Sequence, residues 1–382
     1  MKEPKITITE GNTYIIEGRG LPKGCQYCLK GAKVVLFLNG RCQNPPHCAY
    51  YCPLSDIRKG KNITFADEIE ITQKEELLEE IEKIDAQGMS ITGGEPLMEE
   101  NVEKTLEYIE YVKAQRGKEF HVHLYTNGMN VTEELMERLA KADLDEIRFH
   151  PSRKEWPNLQ FALHKGISVG AEVPVIPDKK YLQELEEFIL YLDQIGADFI
   201  NLNEFEYCFP NSEALKRWGF ELKEGSIASV KKSKKAALEL QKKMAAKVSL
   251  KIHVCSILSK DYYQLRNRYL RRAKTLQRPY EHITEEGLLM YGTIEGPLEK
   301  LDRFYNLLIK ELNIPPKYIS YQINAIQIPL DLAIEDEIVD LLEKYQLDGY
   351  IEEIIPFRGK YCQITEKTPI PVFKEEIDIY ED

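Results

Sequence analysis

The 382-residue sequence has no run of about 18 apolar residues, which excludes a membrane-spanning helix. Its opening, "MKEPKITITE", has no apolar signal core, so export is not expected and a cytoplasmic location is. No fixed-period repeat and no low-complexity tail occur, which excludes a solenoid or a fibre. A positive overall charge is also missing: the net charge of −12 argues against a general nucleic-acid coat protein. His121, His123, His164 and His282 form no ligand-spaced group. Apolar content, by contrast, is 43%, enough to bury a full core, and the length suits two or roughly three domains. The eight cysteines stand at 25, 28, 42, 48, 52, 208, 255 and 362. In a reducing compartment they are read first as metal or redox ligands.

From residue 33 the pattern alternates strand, loop and helix. "KVVLFLNG", "MSITGGEP", "FHVHLYTNG", "DEIRFH", "SVGAEVPVIP" and "ADFINLNEF" read as strands, and helical stretches lie between them. Thr132 is placed to cap the helix "TEELMERLAKADL". Such alternation implies right-handed βαβ units and a parallel sheet, either open or a partial barrel. We divide the chain into a lead with a CxxC pair (1–30), this α/β region (31–210), a basic helical segment (211–280) and a small α+β domain (281–382) of ferredoxin-like type.

"RCQNPPHCAYYCPLS" carries Cys42, Cys48 and Cys52 directly after the first strand of the series. Loops at the C-terminal ends of parallel strands converge on one face, where active sites form. Three thiols can hold three irons of a [4Fe–4S] cluster and leave the fourth open. A zinc site would need a fourth ligand, for which Cys25 or Cys28 could serve. Spacing alone leaves iron–sulfur and zinc equally open.

Fifty residues after Cys42, "TGGEP" (92–96) ends the second strand. The three-cysteine loop, Tyr51 before its last cysteine, and this Gly-Gly-Glu-Pro turn together resemble the radical S-adenosylmethionine (SAM) superfamily over about residues 30–210. The loop departs from that family's usual spacing of three and then two residues, having five and then three. Longer stretches resemble a mainly archaeal group related to pyruvate formate-lyase activating enzymes. The resemblance implies a partial (β/α)6 barrel and a [4Fe–4S] cluster on Cys42, Cys48 and Cys52. It implies SAM held by Gly93, Gly94 and Glu95 at its amino group and by Thr126 and Asn127 at its ribose. Arg148, Val175 and Asn203 are implied at later strand ends, with Val175 covering adenine. The implied reaction is reductive cleavage of SAM to a 5′-deoxyadenosyl radical that abstracts a substrate hydrogen, fed by a donor such as ferredoxin or flavodoxin. No side chain is assigned to the abstraction itself.

Cys25 and Cys28 ("GCQYC") with Cys255 ("HVC") could hold an auxiliary [4Fe–4S] cluster or zinc. Against this, the CxxC pair precedes the first strand and should sit at the other end of the sheet. Residues 231–278 hold fifteen Lys/Arg against two acids, a net +13 that leaves −25 on the rest. With their tyrosines they suggest RNA, above all tRNA, as the substrate. A protein or a cofactor precursor is the alternative, and a zinc-stabilised, non-catalytic RNA-binding protein is the non-enzyme reading.

Overall fold

The computed structural model describes residues 4–43 and 46–381. Asn44 and Pro45 of the cysteine loop lie outside the described residues. The chain forms two compact units, 1–265 and 266–382.

The first unit is one sheet of eleven strands with helices on its outer face. In chain order these are β1 (Ile6–Ile8), β2 (Tyr14–Ile16), α1 (Lys23–Leu29), β3 (Lys33–Phe37), β4 (Thr64–Ala66), β5 (Ile69–Ile71) and α2 (Lys74–Lys83). Then come β6 (Gly88–Thr92), α3 (Glu99–Arg116), β7 (His121–Thr126), α4 (Glu133–Lys141), β8 (Glu146–Phe149), β9 (Ser168–Val175) and α5 (Lys179–Ile195). The unit ends with β10 (Phe199–Glu204), α6 (Phe209–Arg217), α7 (Ser233–Ala245), β11 (Lys251–Cys255) and a π-helical turn, Ser259–Gln264. The spatial order is β1-β2-β11-β10-β9-β8-β7-β6-β3-β4-β5, and the run from β11 to β3 is parallel throughout. The sheet has free edges at β1 and β5 and does not close, so it is a partial barrel.

Strict alternation sorts its two faces. Val169, Ala171, Val173 and Val175 of β9 turn outward into the core formed with the helices, as do Val122, Leu124, Ile147, Ile200, Leu202, Ile252 and Val254. The inner face is polar, with His123 and Tyr125 on β7, Glu146 and Arg148 on β8, Glu172 on β9, Asn201 and Asn203 on β10, and His253 on β11.

The parallel run has seven strands rather than six. The segment 211–280 is not a separate basic piece: α7 buries Ala237, Leu240, Gln241 and Met244 at helical spacing against the main core, and β11 extends the sheet. Its lysines face outward, which explains why a sequence reading by charge detached it. The division between units falls instead after Leu265.

The second unit comprises α8 (Leu265–Leu276), β12 (His282–Ile283), β13 (Leu289–Glu295), α9 (Leu298–Lys310), β14 (Ser320–Tyr321), β15 (Ala325–Ile328), α10 (Leu330–Ala333), α11 (Asp336–Tyr345), β16 (Asp348–Ile354), β17 (Ile364–Pro369) and α12 (Ile370–Glu381). Its sheet runs β14-β15-β13-β16-β17 and every pairing is antiparallel. This matches the ferredoxin-like expectation: β13, α9, β14, β15, α11 and β16 follow the β-α-β-β-α-β order of the split βαβ, with β17 added beside β16. Leu301, Phe304 and Leu308 of α9 pack on Ile326, Ile328 and Ile351 to form this unit's own core.

Candidate functional site

A cavity of about 590 Å³ opens at the C-terminal ends of the parallel strands of the first unit. Cys42, Cys48, Cys52, Gly93, Gly94, Glu95, Thr126, Asn127 and Asn203 all line it.

Two backbones running side by side build its floor. Leu38 N donates to Thr92 O (2.8 Å), Gly94 N to Asn39 O (2.7 Å) and Glu95 N to Arg41 O (2.8 Å), so the β3 ladder continues into the Gly-Gly turn up to the residue before Cys42. A Cβ on Gly93 would lie 2.4 Å from Asn39 O, and one on Gly94 1.8 Å from Arg41 O. Gly93 also has φ +139°, where side chains are disfavoured. The glycines therefore let the start of the cysteine loop dock on the turn.

Glu95 is buried, and its carboxylate accepts from Leu97 N (2.9 Å), Thr126 Oγ1 (2.7 Å) and Asn127 N (2.6 Å). Burial pushes its carboxyl up to about 6, against these three donors. Asn127 Nδ2 donates to Gln43 Oε1 (2.7 Å), tying the cysteine loop to the end of β7. Tyr51 is buried, hydrogen-bonds His150 Nε2 through its hydroxyl (2.9 Å) and stacks edge-on against Phe205. Its carbonyl accepts from Asn211 Nδ2 (3.0 Å). The aromatic before the last cysteine is thus a peg that fixes the loop across β8 and β10. Burial pushes the thiol of Cys42 up to about 11 and that of Cys48 up to about 12. Burial likewise holds His150 at about 3, so it is neutral.

The donor set fits an iron–sulfur cluster better than a single ion. Among the described residues no three His, Cys, Asp or Glu side chains converge on one ion. A [4Fe–4S] cube, unlike a zinc ion, is gripped at separated corners, and it needs a neighbouring space such as this cavity. Binding must displace protons from the half-buried thiols of Cys42 and Cys48.

Other expected residues lie elsewhere. Val175 is fully buried on the outward face and does not line the cavity. Arg148 is 2% exposed and points into the barrel interior, where it donates to Glu146 Oε1 and Glu172 Oε2, both at 2.6 Å. Burial opposes the charge of Glu172, but Arg148, with Asn203 and Asn201, holds its carboxyl down at about 2. The CxxC helix α1 lies within the curve of the sheet instead of beyond it. Gly24 N reaches Glu146, Cys25 Sγ accepts from Arg148 (3.4 Å) and Asn201 (3.3 Å), and Cys28 Sγ contacts Gln264 Oε1 (2.6 Å). Gln264 Nε2 in turn faces Cys255 Sγ (3.5 Å). The three thiols are drawn toward one region, yet each is occupied by a polar side chain and none lines the cavity.

The sequence reading did not select Gln43, Tyr125, Glu172, Glu206 or Lys260, which also line the cavity. Glu172 had a signal: a lone acid at an inward position of the otherwise apolar "SVGAEVPV".

Residues 18–151 match the family model described as the radical SAM superfamily. A protein of Methanocaldococcus jannaschii named "Putative glycyl-radical enzyme activating enzyme" is 35% identical over 356 residues, covering 88% of this chain and 90% of its own. The chain belongs to the radical SAM superfamily. Among solved structures, Streptococcus suis SuiB bound to precursor peptide SuiA matches at 10% identity and TM-score 0.42, over 59% of this chain and 48% of SuiB. The radical SAM methyltransferase TsrM from Kitasatospora setae matches at 12% identity and TM-score 0.31, over 48% of this chain and 38% of its own. As a radical SAM protein the chain is an enzyme, and its family brings a [4Fe–4S] cluster and SAM. No helix among the described residues is long and apolar enough to cross a membrane.

Proposed function

We propose that Cys42, Cys48 and Cys52 hold the [4Fe–4S] cluster, and that Gly93, Gly94, Glu95, Thr126, Asn127 and Asn203 line the SAM site. When bound, the reduced cluster would supply one electron to the sulfur–C5′ bond of SAM, which would break to methionine and a 5′-deoxyadenosyl radical able to take a hydrogen atom from the substrate. The carrying observation is that all three thiols and the Gly-Gly-Glu turn face one cavity, with the loop registered on the turn by Asn39 and Arg41. The chain's own part is to fix that loop, to present Glu95 beside it, and to shield the reacting atoms behind Tyr51 and Phe205. A low-potential protein such as a ferredoxin or flavodoxin would deliver the electron.

For the substrate, a protein is the better-supported class. The relative's name refers to activation of a glycyl-radical enzyme. Phe209 and Ile227 stand 93% and 83% exposed on the chain that continues from the cavity-lining Glu206, an apolar rim suited to a protein surface. RNA has only the +13 segment behind it. Lys231 pairs with Glu221 and Lys243 with Glu186, while Arg272 is buried against Phe357, with its Nε donating to Pro356 O. These cations are divided between two units.

Anaerobic reconstitution with iron and sulfide, then reductant and SAM, tests the reading: 5′-deoxyadenosine forms. Iron counting on the same sample tests the auxiliary centre, with about four irons if Cys25, Cys28 and Cys255 are empty and about eight if they hold a second cluster.

A further inference from the structure

α3 packs Val102, Leu106, Ile109 and Val112 into the main core, yet its first turns also bury polar side chains. Asn101 is 2% exposed, and Thr105, four residues on, is fully buried. An apolar residue would fill either place at less desolvation cost, so each polar group is accounted for by what it bonds. Thr105 Oγ1 donates to Pro96 O (2.8 Å), and Asn101 Nδ2 donates to Glu95 O (2.8 Å). Positions i and i+4 of one helix thus hold two successive carbonyls of the turn after β6.

Asn101 also reaches the second backbone of the cavity floor. Asn39, buried just beyond β3, donates from Nδ2 to Asn101 Oδ1 (2.7 Å). Asn101 Nδ2 returns a longer contact to Asn39 Oδ1 (3.4 Å). The same Asn39 oxygen accepts from the backbone N of Arg41 (2.9 Å), the residue before Cys42. One side chain of α3 therefore bonds the Glu95 carbonyl directly and, through Asn39, the backbone that enters the cysteine loop. Neither amide has an unbonded oxygen or nitrogen. A buried polar network satisfied in this way rigidifies what it joins.

We propose that Asn101 is a positioning residue for SAM cleavage: it sets the Gly-Gly-Glu turn against the cysteine loop, and so the methionine end of SAM against the cluster. This rests on the reading above for what the two segments hold. The part assigned to Asn101 is distinct from that of Leu97, Thr126 and Asn127, which fix the Glu95 carboxylate while Asn101 fixes its backbone.

The test uses the reconstituted, dithionite-reduced holoenzyme with SAM as probe. In the parent, SAM raises the thermal midpoint and changes the electron paramagnetic resonance signal of the reduced cluster. Asn101→Leu, of similar volume, removes both amide bonds. Its iron content stays at the parent's level, while the midpoint shift, the signal change and 5′-deoxyadenosine release each need about ten times more SAM. Asn101→Asp keeps an acceptor for Asn39 but loses the donor to Glu95 O, and falls between the two. Leu139→Ala, a core truncation on α4, is the control for lowered stability: its midpoint falls and its SAM requirement does not change. The proposal is overturned if Asn101→Leu needs no more SAM than the parent, if Leu139→Ala needs as much as Asn101→Leu, or if Asn101→Leu loses its iron. Should Asn101→Leu not fold, Asn101→Asp against the parent decides. Failure of the cofactor reading looks different, since the parent itself then holds no iron and releases no product.

Discussion

Glu95 takes three hydrogen bonds from the protein, so part of its work is to join the turn after β6 to the end of β7. Burial raises its carboxyl from the ordinary 4.5 to about 6. A group raised in this way adds stability that is present below about pH 4.5 and is lost as pH rises through about 6, here about 2 kcal/mol. Glu95→Gln therefore flattens that part of the stability–pH curve relative to the parent. At pH 7 it also costs about 1–3 kcal/mol, because an amide NH2 replaces an acceptor facing Thr126 Oγ1 or Asn127 N. Urea denaturation of both proteins from pH 4 to 8 checks it, and parallel curves would contradict the assignment. At this scale the sequence was informative where function needs local residue types: three close thiols, an aromatic peg and a Gly-Gly-Glu turn. It was uninformative about direction. Val175 and Arg148 were both placed near strand ends, but Val175 lies on the outward face and Arg148 too far inside, because parity and register decide what a strand residue meets.

Two glycines carry element-scale docking. At Gly94 an added Cβ would overlap the backbone oxygen of Arg41, which cannot swing aside. At Gly24 of α1 it would meet the ends of Arg148, His123 and Glu146, at 2.6, 2.6 and 2.9 Å. Gly94→Ala should abolish iron incorporation by dislodging the cysteine loop. Gly24→Ala should lower stability by about 1–3 kcal/mol through overpacking, with iron incorporation retained. Metal content together with thermal melts separates the two, and equal iron loading in both variants would show that the turn does not seat the loop. The alternating strands and helices were legible from their periods, as was Thr132, which caps α4 by accepting from Leu135 N. The place of α1 was not, because a short helix that reverses into the barrel is fixed by long-range contacts to Glu146, Arg148 and Asn201 rather than by its own pattern. β11 was legible as a short strand in "VSLKIHV", but its place in the parallel sheet was not, because the lysines around it assigned it to a separate basic segment in a reading by charge.

Each of the two units has its own apolar core, one built around the parallel sheet and one around Phe304 and Ile328. Differential scanning calorimetry of the whole chain should resolve two transitions, and Phe304→Ala should lower only one of them, by about 3–5 kcal/mol. A single transition shifted as a whole would contradict independent cores. The ferredoxin-like order of the second unit was legible in its alternating strands and helices, whereas its boundary after Leu265 was not, because that is set by contacts and not by charge.

The central claim is that Cys42, Cys48 and Cys52 seat the cluster that makes this chain a SAM-cleaving enzyme. The most direct measurement is iron content and 5′-deoxyadenosine release after anaerobic reconstitution, for the parent and for Cys42→Ala, Cys48→Ala and Cys52→Ala. The account predicts at least about four irons per chain and product in the parent, with each alanine variant losing about four irons and all product. Stoichiometric zinc without iron in the parent, or product formation that survives these substitutions, would contradict it.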